Sequence, residues 1–138
     1  MKLILDSNSL FSIMNPKSVS SYLFASIKSD FIAPEFLKFE LEEHKEECLI
    51  KSRLSEHEFK IRQTEVEESI KFFKPNEYEG FLEKARDTIL DPDDIDFIAL
   101  ALSTNAAIWS NDPHLKKQSL VPVFTTENLL DIFLKGEI

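Results

Sequence analysis

Short apolar runs in this chain alternate with longer stretches in which apolar residues recur every three or four positions, and few architectures accept that order. Residues 3–5 read as a first strand, 31–33 as a second that stops at Pro34, and 107–109 and 121–124 as two more. Between them the spacing predicts helices. One covers residues 18–28, and one covers 35–48, where Leu37, Leu41, His44 and Cys48 share a face. A Ser55/Glu58 capping box opens another, with Phe59, Val66, Ile70 and Phe73 along one side, and Tyr78, Leu82, Ala85 and Ile89 mark the next. Residues 93–104, capped by Asp93, carry so little polar surface that this helix must be buried. Thr125 or Thr126 caps a last helix that ends near Leu134. Parallel strands need crossover connections, so this order predicts an α/β fold: a parallel sheet with helices on both faces. At 138 residues, without repeat or linker, the expectation is a single domain over residues 1–138.

Composition removes several function classes. Only two glycines occur, at 80 and 136, so neither a phosphate-cradling loop nor a dinucleotide fingerprint is available. The single cysteine, Cys48, leaves no internal disulfide and no cysteine cluster for zinc. No apolar run approaches the ~20 residues a membrane span requires, and the N-terminus leads straight into a short strand instead of a secretory signal. The expectation is a cytoplasmic protein with no membrane partner. A net charge of −9, from 25 acidic and 16 basic residues, argues against a broad, non-specific nucleic-acid binder. That charge is either gathered at a cation site or spread over solvated helix surface.

Acidic residues stand where strands hand over to helices. Asp6 ends the run Lys2-Leu3-Ile4-Leu5, and Asp112 follows Ile108-Trp109-Ser110-Asn111. In parallel α/β sheets ligands bind outside the carboxyl ends of the strands, which is where both fall. Each has a purely structural role open to it as an N-cap, reinforced at Asp112 by Pro113. One carboxylate can cap and coordinate. Asp91-Pro92-Asp93-Asp94-Ile95-Asp96 places four acids before the buried helix, and the helix dipole accounts for one or two of them. Asp94 and Asp96 are two residues apart and point in different directions, with Asp94 favoured as a ligand and Asp96 as its support or as a solvent-facing residue. Glu40 lies among Glu35, Glu42, Glu43, Glu46 and Glu47, most of which form a solvated face. It differs in standing beside Leu41 and three residues after Leu37, close to the apolar stripe. His44 shares that stripe and reads as a packed residue.

Carboxylates that converge repel one another unless a cation lies among them. Oxygen-only donors suit Mg²⁺ or Mn²⁺, not zinc or copper. A hard divalent ion in a glycine-poor cleft fits phosphodiester hydrolysis. Ser110 or Asn111 could then orient a carboxylate or a phosphate.

These residues, in this order, resemble the PIN-domain nucleases. The resemblance rests on Leu3-Ile4-Leu5-Asp6-Ser7-Asn8, on Ala33-Pro34 followed by Glu40, on Asp91-Pro92-Asp93-Asp94-Ile95-Asp96 with the apolar helix to Leu102, and on Ile108-Trp109-Ser110-Asn111-Asp112. It spans nearly the whole chain, and the two C-terminal blocks are its specific part. It implies a three-layer α/β/α sandwich around a parallel sheet, with Mg²⁺ or Mn²⁺ bound at Asp6, Glu40, Asp94 and Asp112. It also implies RNA cleavage by a metal-activated water, with Asn8 and Ser110 in supporting positions. Many small members resemble VapC-type toxins, which implies a homodimer and a partner antitoxin. Asp96 departs from the usual pattern, in which no further acid follows at that distance.

Two other classes compete with the nuclease. A PIN-like binding or scaffold module would suit the acidic balance. A receiver-like phosphoacceptor would need a lysine at the end of a late strand, where Phe124-Thr125 stands instead.

Overall fold

The computed structural model describes residues 1–89 and 91–138. Five parallel strands form its sheet: β1 (Lys2–Leu5), β2 (Asp30–Pro34), β3 (Ile70–Phe73), β4 (Ala107–Trp109) and β5 (Val123–Phe124), in the order β3-β2-β1-β4-β5. From β1 the chain steps outward to β2 and β3, then crosses back to add β4 and β5 on the other side. Right-handed crossovers place connections of opposite direction on opposite faces. The helices α1 (Ser7–Met14), α2 (Val19–Ser26), α3 (Phe36–Glu43), α4 (Lys45–Ser52) and α5 (Glu56–Glu68) therefore cover one face. The other face holds α6 (Leu82–Thr88), α7 (Ile95–Thr104) and the short α8 (Pro113–Lys116). The final helix, α9 (Thr126–Leu134), returns to pack on α2 and β5. The result is the three-layer α/β/α sandwich expected from the sequence.

The core runs through both interfaces. Leu3, Ile4 and Leu5 of β1 have no solvent exposure, as the central strand of a doubly covered sheet requires. α7 packs across β1, β2 and β4 and buries Phe97, Ile98, Ala99, Leu100 and Ala101. It stops at Asn105, whose φ of 57° is the left-handed conformation that ends helices. Among the described residues no helix is long and apolar enough to cross a membrane.

Several local expectations are corrected. Ile70 and Phe73 do not continue the helix that the Ser55/Glu58 capping box opens. That helix ends at Glu68, and residues 70–73 form the edge strand β3, with Phe31 opposite Ile70. An apolar residue every three or four positions cannot separate a continuing helix from a short strand that follows it. The helix predicted over residues 35–48 is divided at His44, whose ψ of 14° leaves helical geometry. Tyr78 precedes α6 and sits between two 3-10 turns. Residues 7–14, to which the sequence pattern assigns no element, are helix α1, because Leu10, Ile13 and Met14 give it a fully buried face. Asp93 does not cap the buried helix. The Asp91 side chain accepts from the Asp93 N–H and caps a 3-10 turn over residues 92–94 that leads into α7.

Candidate functional site

Strand order brings the two acid-bearing strand ends together. β1 and β4 are neighbours, and the register pairs Leu5 with Trp109. The next residues, Asp6 and Ser110, therefore leave the sheet side by side. This is the point where the direction of the connections reverses, and a crevice opens outside the strand ends. The Ser110 hydroxyl donates to Asp6 Oδ2 and accepts the Asp112 N–H at 3.0 Å, so one buried serine ties both strand ends together. Asp6 Oδ1 accepts the Ser9 N–H at 2.8 Å, capping α1, while the Ser9 hydroxyl donates to the Trp109 carbonyl at 2.8 Å. Asp112 Oδ1 accepts the His114 N–H at 2.9 Å and caps α8. Both acids are thus caps, and both stand at the carboxyl edge of the sheet.

Asp94 enters from the layer above, at the start of α7. It is 7% exposed, and its Oδ2 is buried without a hydrogen-bond partner among the described residues. Burial is the main reason its carboxyl is pushed up to about 6, and the charges of Asp91, Asp112, Asp6 and Asp93 add to it. Asp6 is also raised by burial. Hydrogen bonds from Ser110 and Ser9 oppose that rise, and Asp112 adds to it. Three carboxylates from β1, α7 and the β4 end thus feel one another. The helix dipole at the α7 N-terminus favours a negative charge there but does not offset burial.

Asp96 takes a different environment. Its Oδ2 accepts the hydroxyl of the buried Tyr78 at 2.9 Å, which ties α7 to the segment before α6. The side chains of Asp94 and Asp96 are therefore distinguished by their partners: one oxygen is unsatisfied, the other held by a phenol.

Glu40 stands on α3 and accepts the hydroxyl of Ser7, the residue after Asp6. It adjoins the cluster through that serine. Asn8 is exposed and makes no hydrogen bond to Asp6. Asn111 turns away toward α9: its Oδ1 accepts the Thr126 N–H at 2.8 Å and its Nδ2 donates to Thr126 Oγ1 at 3.1 Å. Ser7 and Ser9 were not anticipated. Asp6 and Glu40 lie 33 or more residues from the partners that position them most tightly across the fold, and such bonds leave no local sequence signal.

The donor set is chemically suited to a hard divalent ion, and the orphaned Asp94 oxygen is a buried acceptor lacking a proton donor or cation. Each of the other three carboxylates is held by its own N–H or O–H donor. Among the described residues, no three His, Cys, Asp or Glu side chains close on one point. Ser110→Ala is expected to cost about 1–3 kcal/mol at neutral pH, because it strips the hydroxyl from a buried Asp6 oxygen and the acceptor from the Asp112 N–H. Urea unfolding monitored by tryptophan fluorescence measures this.

Comparison with known proteins bears on this arrangement. The PIN domain model matches residues 4–131. Among solved structures, a chain in the crystal structure of VapBC2 from Rickettsia felis, bound to a DNA fragment from their promoter, superposes with a TM-score of 0.61. The two are 15% identical, over 91% of this chain and 98% of that one, so the likeness concerns the fold. No curated protein matches the sequence.

Proposed function

The chain belongs to the PIN-domain family, and on that premise we propose that it is a Mg²⁺- or Mn²⁺-dependent endoribonuclease that acts as the toxin of a toxin–antitoxin pair. The observation that carries the catalytic part is Asp94: a buried carboxylate oxygen without a partner, beside Asp6 and Asp112 at the carboxyl edge of the sheet. The fold-level likeness to a VapBC2 chain supports the toxin part and an antitoxin partner, and a homodimer is proposed with them.

Asp6, Asp94 and Asp112, with Glu40 on the flank, would hold the ion. When bound, such an ion supplies Lewis-acid polarisation of the phosphoryl group and a water of lowered pKa. The chain's own residues set the stage for that chemistry. Ser110 fixes Asp6 and the Asp112 backbone relative to each other, and Ser9 locks Asp6 from the α1 side. Ser7 holds Glu40 toward the crevice. Tyr78 restrains Asp96, leaving Asp94 as the acid of that segment with a free oxygen. The apolar start of α7 keeps bulk water from Asp94, which strengthens each charge interaction there.

Purified protein is expected to cut RNA with millimolar Mg²⁺ or Mn²⁺ and not with EDTA, and Asp6→Asn or Asp112→Asn should each remove the activity. Cleavage by both variants at the wild-type rate would assign the activity to a contaminant. A catalytically weak binding module is the second reading, and the lack of a closed set of three ligands among the described residues favours it. Calorimetry showing no divalent-ion binding at millimolar concentration would select that module over the nuclease.

A further inference from the structure

Beside the acidic crevice lies a cavity of about 420 Å³, within the size of small-ligand clefts, about 300–1,000 Å³. Asn8, Phe11, Asn15, Glu40, His44 and Lys51 line it. Glu40 is the wall it shares with the acids, through the hydrogen bond from Ser7, the residue next to Asp6. Inside, the rings of Phe11 and His44 lie 5.1 Å apart at 47°. Phe11 is braced against the core, and His44 sits at the break between α3 and α4, which presents its ring at the surface. The amide of Asn8 and the Nδ2 of Asn15 make no hydrogen bond among the described residues, so both are available to a ligand. Lys51 stands at the mouth, 3.3 Å from Glu47, in an exposed pair of the kind that contributes little and exchanges readily.

We propose that this cavity is the slot for one unpaired nucleobase of a single-stranded RNA, the base next to the phosphate that the acids address. The proposal rests on the nuclease reading and adds the residues that select the strand. Each feature matches one part of a nucleotide. An aromatic face stacks any base, amide side chains offer the donor and acceptor that base edges present, and an ammonium suits the neighbouring phosphate. A base inside a duplex is already stacked and cannot enter, so the slot discriminates against paired RNA. It also offers an answer to how so acidic a chain holds a polyanion: affinity comes from stacking, with a single cation at the mouth.

The test is fluorescence anisotropy in EDTA with a fluorescein-labelled, mixed-sequence RNA heptamer, single-stranded or as a blunt duplex. Phe11→Ala and His44→Ala are each expected to weaken single-strand binding about 5–100-fold, the loss of roughly one base–aromatic stack. His44→Phe should restore it, and the duplex should bind weakly to every variant. Because Phe11 packs on the core, the exposed His44 pair keeps the test decisive if Phe11→Ala unfolds. Wild-type affinity in His44→Ala, equal binding of the duplex, or no binding of the single strand to wild type would overturn the slot. The two readings fail separately. If wild type binds the strand but never cuts it with Mg²⁺ or Mn²⁺, the slot stands without the nuclease. Cleavage with unchanged KM in both alanine variants leaves the nuclease and removes the slot.

Discussion

Asp94→Asn is expected to make the metal-free protein more stable and the metal-loaded protein inactive. The stability half follows from the raised carboxyl, at about 6 in the folded state against ~3.9 for an unperturbed aspartate. Below about pH 4 the group is protonated in both states and contributes nothing to the difference. Between about pH 4 and 6 the unfolded chain releases its proton first, so folding of wild type is progressively penalised. Above about pH 6 both states are ionised and the full penalty stays. Asparagine has no such titration, and its amide can donate to the neighbouring carboxylates. The variant's advantage should therefore open across this window and level off at neutral pH at roughly 1–3 kcal/mol. Thermal melts in EDTA at pH 4, 5, 6 and 7 measure it. The activity half has the opposite sign. Losing one of few carboxylates around the ion should cost at least ~100-fold in kcat/KM, about 2.7 kcal/mol of transition-state stabilisation. Added Mg²⁺ or Mn²⁺ should raise the wild-type melting temperature but not the variant's, by mass action on the folded state. A purely structural Asp94 predicts a destabilised variant, and that result would end its role as a ligand.

That two signs can be predicted for one residue depends on the structure, because sequence separates Asp94 from Asp96 only weakly. Both lie in the same acidic run, and helical geometry says only that they diverge. The hydroxyl of Tyr78, 18 positions upstream, is what distinguishes them, and nothing local to either aspartate announces it. Asp6 and Asp112 were easier to nominate, since acids at or just beyond the carboxyl end of a buried strand in a parallel sheet lie at the crevice by topology. What remained hidden was strand order. Adjacency of β1 and β4 sets Asp6 beside Ser110, and a chain with those strands apart could carry the same motifs.

The fold was legible where a single physical signal dominated. β1, β2 and β4 stand out as short apolar runs closed by polar residues or Pro34, and α7 stands out for its unbroken apolar run from Phe97 to Leu102. The missed pieces are those where two signals compete. Ser7-Asn8-Ser9 has turn composition, yet the buried stripe of Leu10, Ile13 and Met14 makes it helical, so tertiary packing overrides propensity. Residues 70–73 keep the apparent phase of the preceding helix, and pairing with β2 draws them into the sheet.

Trp109→Ala is expected to be the most damaging single substitution in the core, and to damage the site with it. Trp109 is fully buried at the end of β4, with its ring 6.3 Å from that of Phe31 on β2. Its Nε1 donates to Thr126 Oγ1 at 3.0 Å, so it joins the sheet to the start of α9. Truncation removes the largest buried side chain, leaves a cavity and takes one of two donors from Thr126 Oγ1, which keeps Asn111 Nδ2. About 3–5 kcal/mol should be lost, out of the ~5–15 kcal/mol that such domains possess. The melting temperature should fall by roughly 10–20 °C. The local consequence reaches the acids, because the Trp109 carbonyl anchors Ser9 and the next residue is Ser110, which holds Asp6. Cleavage should therefore weaken even at temperatures where the variant stays folded. Trp109→Phe separates the contributions: it keeps most of the ring volume but loses the bond to Thr126, and should cost about 1–2 kcal/mol while retaining most activity. Urea unfolding gives the stability values, and single-turnover cleavage at low temperature gives the activity. A loss below about 1 kcal/mol in Trp109→Ala would mean that β4 is not packed as described, and the juxtaposition of Asp6 with Ser110 would lose its support.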